Sequence, residues 1–159
     1  MGYWGHLVLV HGDRPPSGFG IPEEVTELGD GWRVYRIEGE TDLPAAVRTL
    51  AAQTDAPALA AYVLDSDCAA LAAATPAGEL WSTMLNPAVA EQLYGAPRPD
   101  PDADTRAALA WAGAAGLHPD EERVAGTLAG EATFAEDLFF DLLAALGVPA
   151  QRTNGRSSV

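Results

Sequence analysis

Lysine is absent: all nine cationic side chains are arginine, set against 23 acidic residues for a formal net charge of −14. Proteins that grip nucleic-acid phosphates or anionic headgroups need clustered cations to displace counterions. Ahead of the C-terminal tail the closest arginines are Arg33 and Arg36, so there is no basic patch and neither partner class is expected. Cysteine is reduced to Cys68, which cannot form an internal disulfide and fits a reducing compartment. Set among alanines and leucines, Cys68 reads as a small buried hydrophobe rather than a nucleophile. No stretch approaches the roughly 18 apolar residues that span a bilayer. The opening residues 1–6 lack a basic stretch ahead of an apolar one, so no secretory leader is expected and the expected location is the cytoplasm.

Histidine is scarce, at His6, His11 and His118. An odd spacing on one strand sends His6 and His11 to opposite faces, and neither HExxH nor CxxC occurs, so zinc is not expected. The glycine-rich patterns GxxxxGK[ST] and GxGxxG and the GxSxG elbow are missing as well. With no complete catalytic constellation, neither an enzyme nor a cofactor is the expected reading.

What remains is a chain of 159 residues, 48% of them hydrophobic, enough for one core. The patterning predicts an α+β class: a mixed, mainly antiparallel sheet of about five strands, with helices packed on it and a helical C-terminal half. A single domain is expected over 1–149, with a sheet half at 1–95 and a helical half at 102–149. Residues 150–159 read as a disordered polar tail.

A first strand at 3–11 is apolar on both faces and therefore central. Residues 12–31 carry three prolines and read as a long irregular connection. A second strand at 32–37 alternates Trp32 and Val34 against Tyr35 and Ile37. Asp42 and Pro44 open a helix with an apolar stripe at Leu43, Val47, Leu50 and Ala51. Three short strands follow, at 58–64, 69–74 and 80–85, the last two separated by the turn at 75–78. Asn86 and Pro87 read as a cap and first-turn pair for a short helix. Residues 97–102 read as a stiff connector. Beyond it lie a helix at 105–116, an acid-rich helix start at 119–122, and a capping box from Thr133 to Glu136. The last helix aligns Phe134, Leu138, Leu142 and Ala145 until Gly147 and Pro149 stop it.

Two places can carry function. Asp65 and Asp67 are two residues apart, and on extended chain both carboxylates point the same way, toward a shared Mg²⁺, Ca²⁺ or small ligand. The same Asp-Ser-Asp run is also turn chemistry. The alternative to a binding module is thus a small metal- or ligand-dependent enzyme or ligand binder using Asp65 and Asp67, with His6 or His11. The other place is a surface: Glu136, Asp137 and Asp141 on the last helix repel one another mildly, a pattern that favours a cationic protein partner. Trp32, Trp81 and Trp111 fall on core-facing patterns, whereas Trp4, flanked by Gly2 and Gly5, is the tryptophan expected to face a partner.

Residues 63–67, followed by Gly78, Trp81 and Leu85-Asn86-Pro87, resemble a group of small actinobacterial proteins whose chains also open like Tyr3-Trp4-Gly5. The resemblance covers about residues 1–95. It implies an α+β fold and a cytoplasmic setting and carries no activity. In size, acidity and make-up the chain is also similar to bacterial immunity proteins that neutralise toxins. The leading expectation is a non-enzymatic, cytoplasmic protein-binding module of immunity or accessory type.

Overall fold

Strand β1 (Gly5–His11) is buried along all but its last residue, so it must lie inside a sheet with both faces covered. The computed structural model, which describes residues 2–150, places it third in a six-stranded sheet of order β2-β3-β1-β4-β5-β6. The other strands are β2 (Pro22–Glu27), β3 (Trp32–Ile37), β4 (Ala58–Leu64), β5 (Cys68–Ala74) and β6 (Leu80–Leu85). Every described pairing is antiparallel, so the α+β class holds but the sheet is not mixed. Strands β3 and β4 run parallel to one another with β1 inserted between them. The connection through α1 (Leu43–Thr54) therefore skips one strand.

The extra strand is β2, within the stretch that reads as irregular connection. Its sequence, Pro-Glu-Glu-Val-Thr-Glu, lacks strand-like alternation of apolar residues because it forms an edge and buries little. A short 3₁₀ turn, Gly29–Gly31, then reverses the chain into β3.

Two apolar layers flank the sheet. On one face Val8, Val10, Tyr35, Ile37, Ala60 and Ala72 pack against α1 and Phe19. On the other, Leu7, Leu9, Trp32, Leu59, Leu71 and Ala73 meet three helices: α3 (Pro101–Ala114), α4 (Glu121–Ala129) and α5 (Ala135–Leu146). The sheet and the C-terminal helices thus share one core. Alanine is a weak strand former, yet β4 and β5 are rich in it: small side chains let α1 lie close across both strands, and packing overrides propensity. Trp111 of α3 reaches the strand ends, its Nε1 donating to the carbonyls of Ala58 at 3.1 Å and Ala74 at 3.2 Å.

Several helix ends differ from the sequence reading. Asp42 does cap α1, accepting from the Ala45 N–H, and Asp120 caps α4. Residues 97–102 are not all connector: Asp100 caps α3, and Pro101 takes the first helical position, where a missing N–H costs nothing. Asn86 precedes α2 (Pro87–Tyr94) in a left-handed conformation, and its side chain does not cap it. The capping box at α5 does not form. Phe134 takes the cap position without a side-chain bond and is exposed, because Glu136 is drawn to Ser66 instead. Trp32 and Trp111 are core residues, whereas Trp81 is half-buried on the outermost strand. The tail reading for residues 150–159 falls almost entirely outside the described residues.

His6 and His11 do face opposite sides. His6 is fully buried beside Phe19 and Tyr62, with Nδ1 3.3 Å from the Ile37 carbonyl oxygen. Burial pushes its pKa below the ordinary 6.5, partly offset by that hydrogen bond. The unfolded chain therefore takes up the proton more readily than the folded one. The stabilisation from a neutral His6 is complete above pH 6.5 and is lost as pH falls through that value toward the folded pKa. Urea titrations should show wild type losing stability relative to His6→Phe as pH falls from about 7.5 to about 5. A pH-independent difference would contradict this account.

Candidate partner-binding surface

Strands β4 and β5 are joined by a tight turn in which the Asp67 N–H donates to the Leu64 carbonyl at 2.9 Å. Asp65 and Ser66 both take positive φ, 52° and 59°, the backbone hand that matches the twist of paired strands. Short polar side chains tolerate that conformation better than apolar ones. The turn, not extended chain, is therefore what the Asp-Ser-Asp run forms, and the geometry that would aim both carboxylates at one cation is not present.

Ser66 is buried, and all its polar groups are engaged. Its N–H donates to the Tyr3 carbonyl at 2.9 Å, and its own carbonyl accepts from the Ala135 N–H at 2.8 Å. Its Oγ accepts from the Tyr3 N–H at 2.8 Å and donates to Glu136 Oε2 at 2.9 Å. Asp65 Oδ1 accepts from the Gly2 N–H at 2.6 Å. A side chain at position 2 would sit 2.4 Å from the Asp65 carbonyl oxygen, so glycine is required for this approach. On the other side of the turn, Asn86 Nδ2 donates to the carbonyls of Asp67 at 2.6 Å and Ala132 at 2.9 Å. Its Oδ1 accepts from the Ala132 N–H at 3.4 Å. Three chain segments distant in sequence are thereby tied to one hairpin tip.

This network gathers residues that the sequence reading singled out separately. Trp4 follows Tyr3, and Phe134 precedes Ala135, so both emerge beside Ser66; they are 48% and 52% exposed. Leu93 and Tyr94, also exposed, end α2 nearby. The Tyr94 hydroxyl has its pKa raised, first by loss of hydration and then by nearby acidic groups, Asp67 foremost. Among the described residues, four of the seven exposed large hydrophobic residues thus lie on segments that reach this turn. The same segments carry carboxylates: Asp65 and Asp67 on the turn, and Asp137 exposed in the first turn of α5, with Asp141 one turn further along. Glu136 is half-buried and acts as an anchor for Ser66.

Other sequence candidates lie elsewhere. Cys68 is buried, and burial together with the charge of Asp67 pushes its thiol up to about 11, so at neutral pH it is a thiol and not a nucleophile. No carboxylate is among the groups that shift His6. His11 lies at the far end of β1 from the turn, stacked on Trp32 with ring centroids 4.5 Å apart and donating from Nε2 to the Asp30 carbonyl at 2.7 Å. There it shares a cleft of about 300 Å³ with His118, a meeting across 107 positions (118 − 11) that no spacing rule reveals. Among the described residues, no group of three or more His, Cys, Asp or Glu is placed to hold a metal ion. No helix among them is long and apolar enough to cross a membrane. Comparison of the chain with protein-family models, with curated proteins and with solved structures found no match in any of the three.

Because Asn86 is buried, left-handed and bonded to two segments, Asn86→Ala should cost about 3 kcal/mol by orphaning buried carbonyls and straining the backbone. Trp4→Ala, at an exposed position, should change stability by less than about 0.5 kcal/mol. Urea denaturation of both variants checks the contrast.

Proposed function

We propose that the protein is a non-enzymatic, cytoplasmic binding module of immunity or accessory type, which engages a cationic protein partner through the hairpin-tip surface. The observation that carries this reading is that Trp4, Phe134, Leu93 and Tyr94 stand exposed on segments that a hydrogen-bonded frame brings to the hairpin tip, along with the carboxylates of Asp65, Asp67 and Asp137. Tryptophan and tyrosine are the side chains that most often dominate binding energy, since each buries a large rigid area when a partner covers it. The backbone beneath them is already fixed by Ser66 and Asn86, so little ordering cost remains to be met on association. The surrounding acids and the net charge of −14 would speed encounter with a positively charged partner and repel anionic ones.

No bound cofactor is needed for this role. The test is capture from a native lysate on the immobilised chain, run in parallel with the Trp4→Ala/Phe134→Ala variant. Wild type should retain a stoichiometric basic protein that the double variant loses, and retention should weaken as salt is raised. Recovery of no such partner, or equal recovery by both proteins, would overturn the reading.

A further inference from the structure

The two edges of the sheet are built differently. Strand β2 carries Pro22 and three glutamates, Glu23, Glu24 and Glu27, which discourage any further strand from pairing with it. Strand β6 reads Leu-Trp-Ser-Thr-Met-Leu, with no charge and no proline. Its backbone pairs with β5 on one side, and among the described residues no other backbone partner serves it. Leu80 and Ser82 are exposed. An uncharged, β-favouring edge left open is a template for strand addition.

Beside this edge lies a cleft of about 210 Å³, whose walls include Trp81, Trp111, Ala107 and Ala110, with Glu79 at its border. Trp81 is held in place by Nε1 donating to Asp104 Oδ1 at 3.0 Å, and Asp104 also accepts from Thr83, so α3 fixes this wall of the cleft. The Glu79 carboxylate is exposed and forms no ion pair among the described residues. Aromatic walls with a free carboxylate suit the aliphatic stem and charged head of an arginine or lysine. Exposed Asp100 and Asp102, in the cap and first turn of α3, add negative charge next to the same strand. A second copy of this chain would bring a further −14, which argues against self-pairing at this edge.

We infer that β6 receives an extended segment of a cationic protein partner as a seventh strand, with an arginine or lysine of that segment seated between Trp81 and Glu79. This inference rests on the reading of the chain as a protein-binding module and supplies its mode of recognition. The far end of β6 leads through Asn86 to the hairpin tip, so one partner can contact both.

The experiment pans a displayed library of random decapeptides on the full chain and measures the selected peptide by fluorescence anisotropy. Selected peptides should alternate β-favouring residues and share one arginine or lysine. Methylating alternate backbone nitrogens of the peptide, or placing a charge on the edge with Ser82→Lys, should weaken binding by about tenfold or more. Ser82→Thr should bind as wild type, and circular dichroism should show both variants folded. Glu79→Gln should weaken binding roughly three- to fivefold, as expected for a partly exposed ion pair. Amide hydrogen exchange along Leu80–Leu85 should slow in the complex. Selection of no peptide, or binding that survives both N-methylation and Ser82→Lys, overturns strand addition. If the lysate partner is still captured and still lost in Trp4→Ala/Phe134→Ala, the module reading stands without it. If capture fails too, both fall.

Discussion

A sheet whose middle strands carry apolar side chains on both faces cannot leave either face in water, and this requirement organises the whole molecule. Leu7 and Leu9 point one way from β1 and Val8 and Val10 the other, all buried. One face takes α1, with Phe19 beside it, and the alanines of β4 and β5 let that helix approach closely. The other takes the broad layer of α3, α4 and α5, in which Phe139, Leu142, Leu143 and Leu146 are essentially inaccessible. Removing either layer would expose a continuous apolar surface, so the sheet half and the helical half depend on each other.

With both faces covered, the ends and edges of the sheet are the parts left uncovered. At one end the hairpin tip draws in the N-terminal segment through Tyr3 and the start of α5 through Ala135, using one buried serine as the junction. Every polar group of that serine is satisfied, which is the condition for burying it without penalty. Trp4 and Phe134, which adjoin these anchored positions, are about half exposed, at 48% and 52%. The two edges divide as well, one blunted by glutamate and proline, the other uncharged and beside a cleft.

Ion pairing on the acidic surface adds little to stability. Three ion pairs, Arg33–Glu27, Arg36–Glu24 and Arg98–Glu91, are partly or largely exposed and contribute little. Two of them tie β2 to β3 and help hold that marginal edge strand in register.

Much of the fold was legible along the chain because it is written in local periodicity. Strands β1, β3, β4, β5 and β6 are marked by apolar runs, alternation and the turns between them, the helices α1 and α5 by a 3.6-residue stripe, and their ends by Asp42 and Gly147. Strand β2 was not legible, since an edge strand buries too little to impose a pattern. The capping box at Thr133 was locally plausible but lost to a tertiary competitor, the Ser66 hydroxyl, which claims Glu136. Trp4, Asp65, Asp67, Glu136 and Asp137 could each be named from residue type alone, but not as neighbours. The sequence by itself determined the α+β class, most of the elements, the acidity and the absence of catalytic motifs, all properties of composition and short-range spacing. The tertiary structure alone decided that residues 2–4, 65–67, 86 and 132–136 meet at one hairpin tip, because hydrogen bonds spanning 19 to 70 positions leave no periodic trace in the chain.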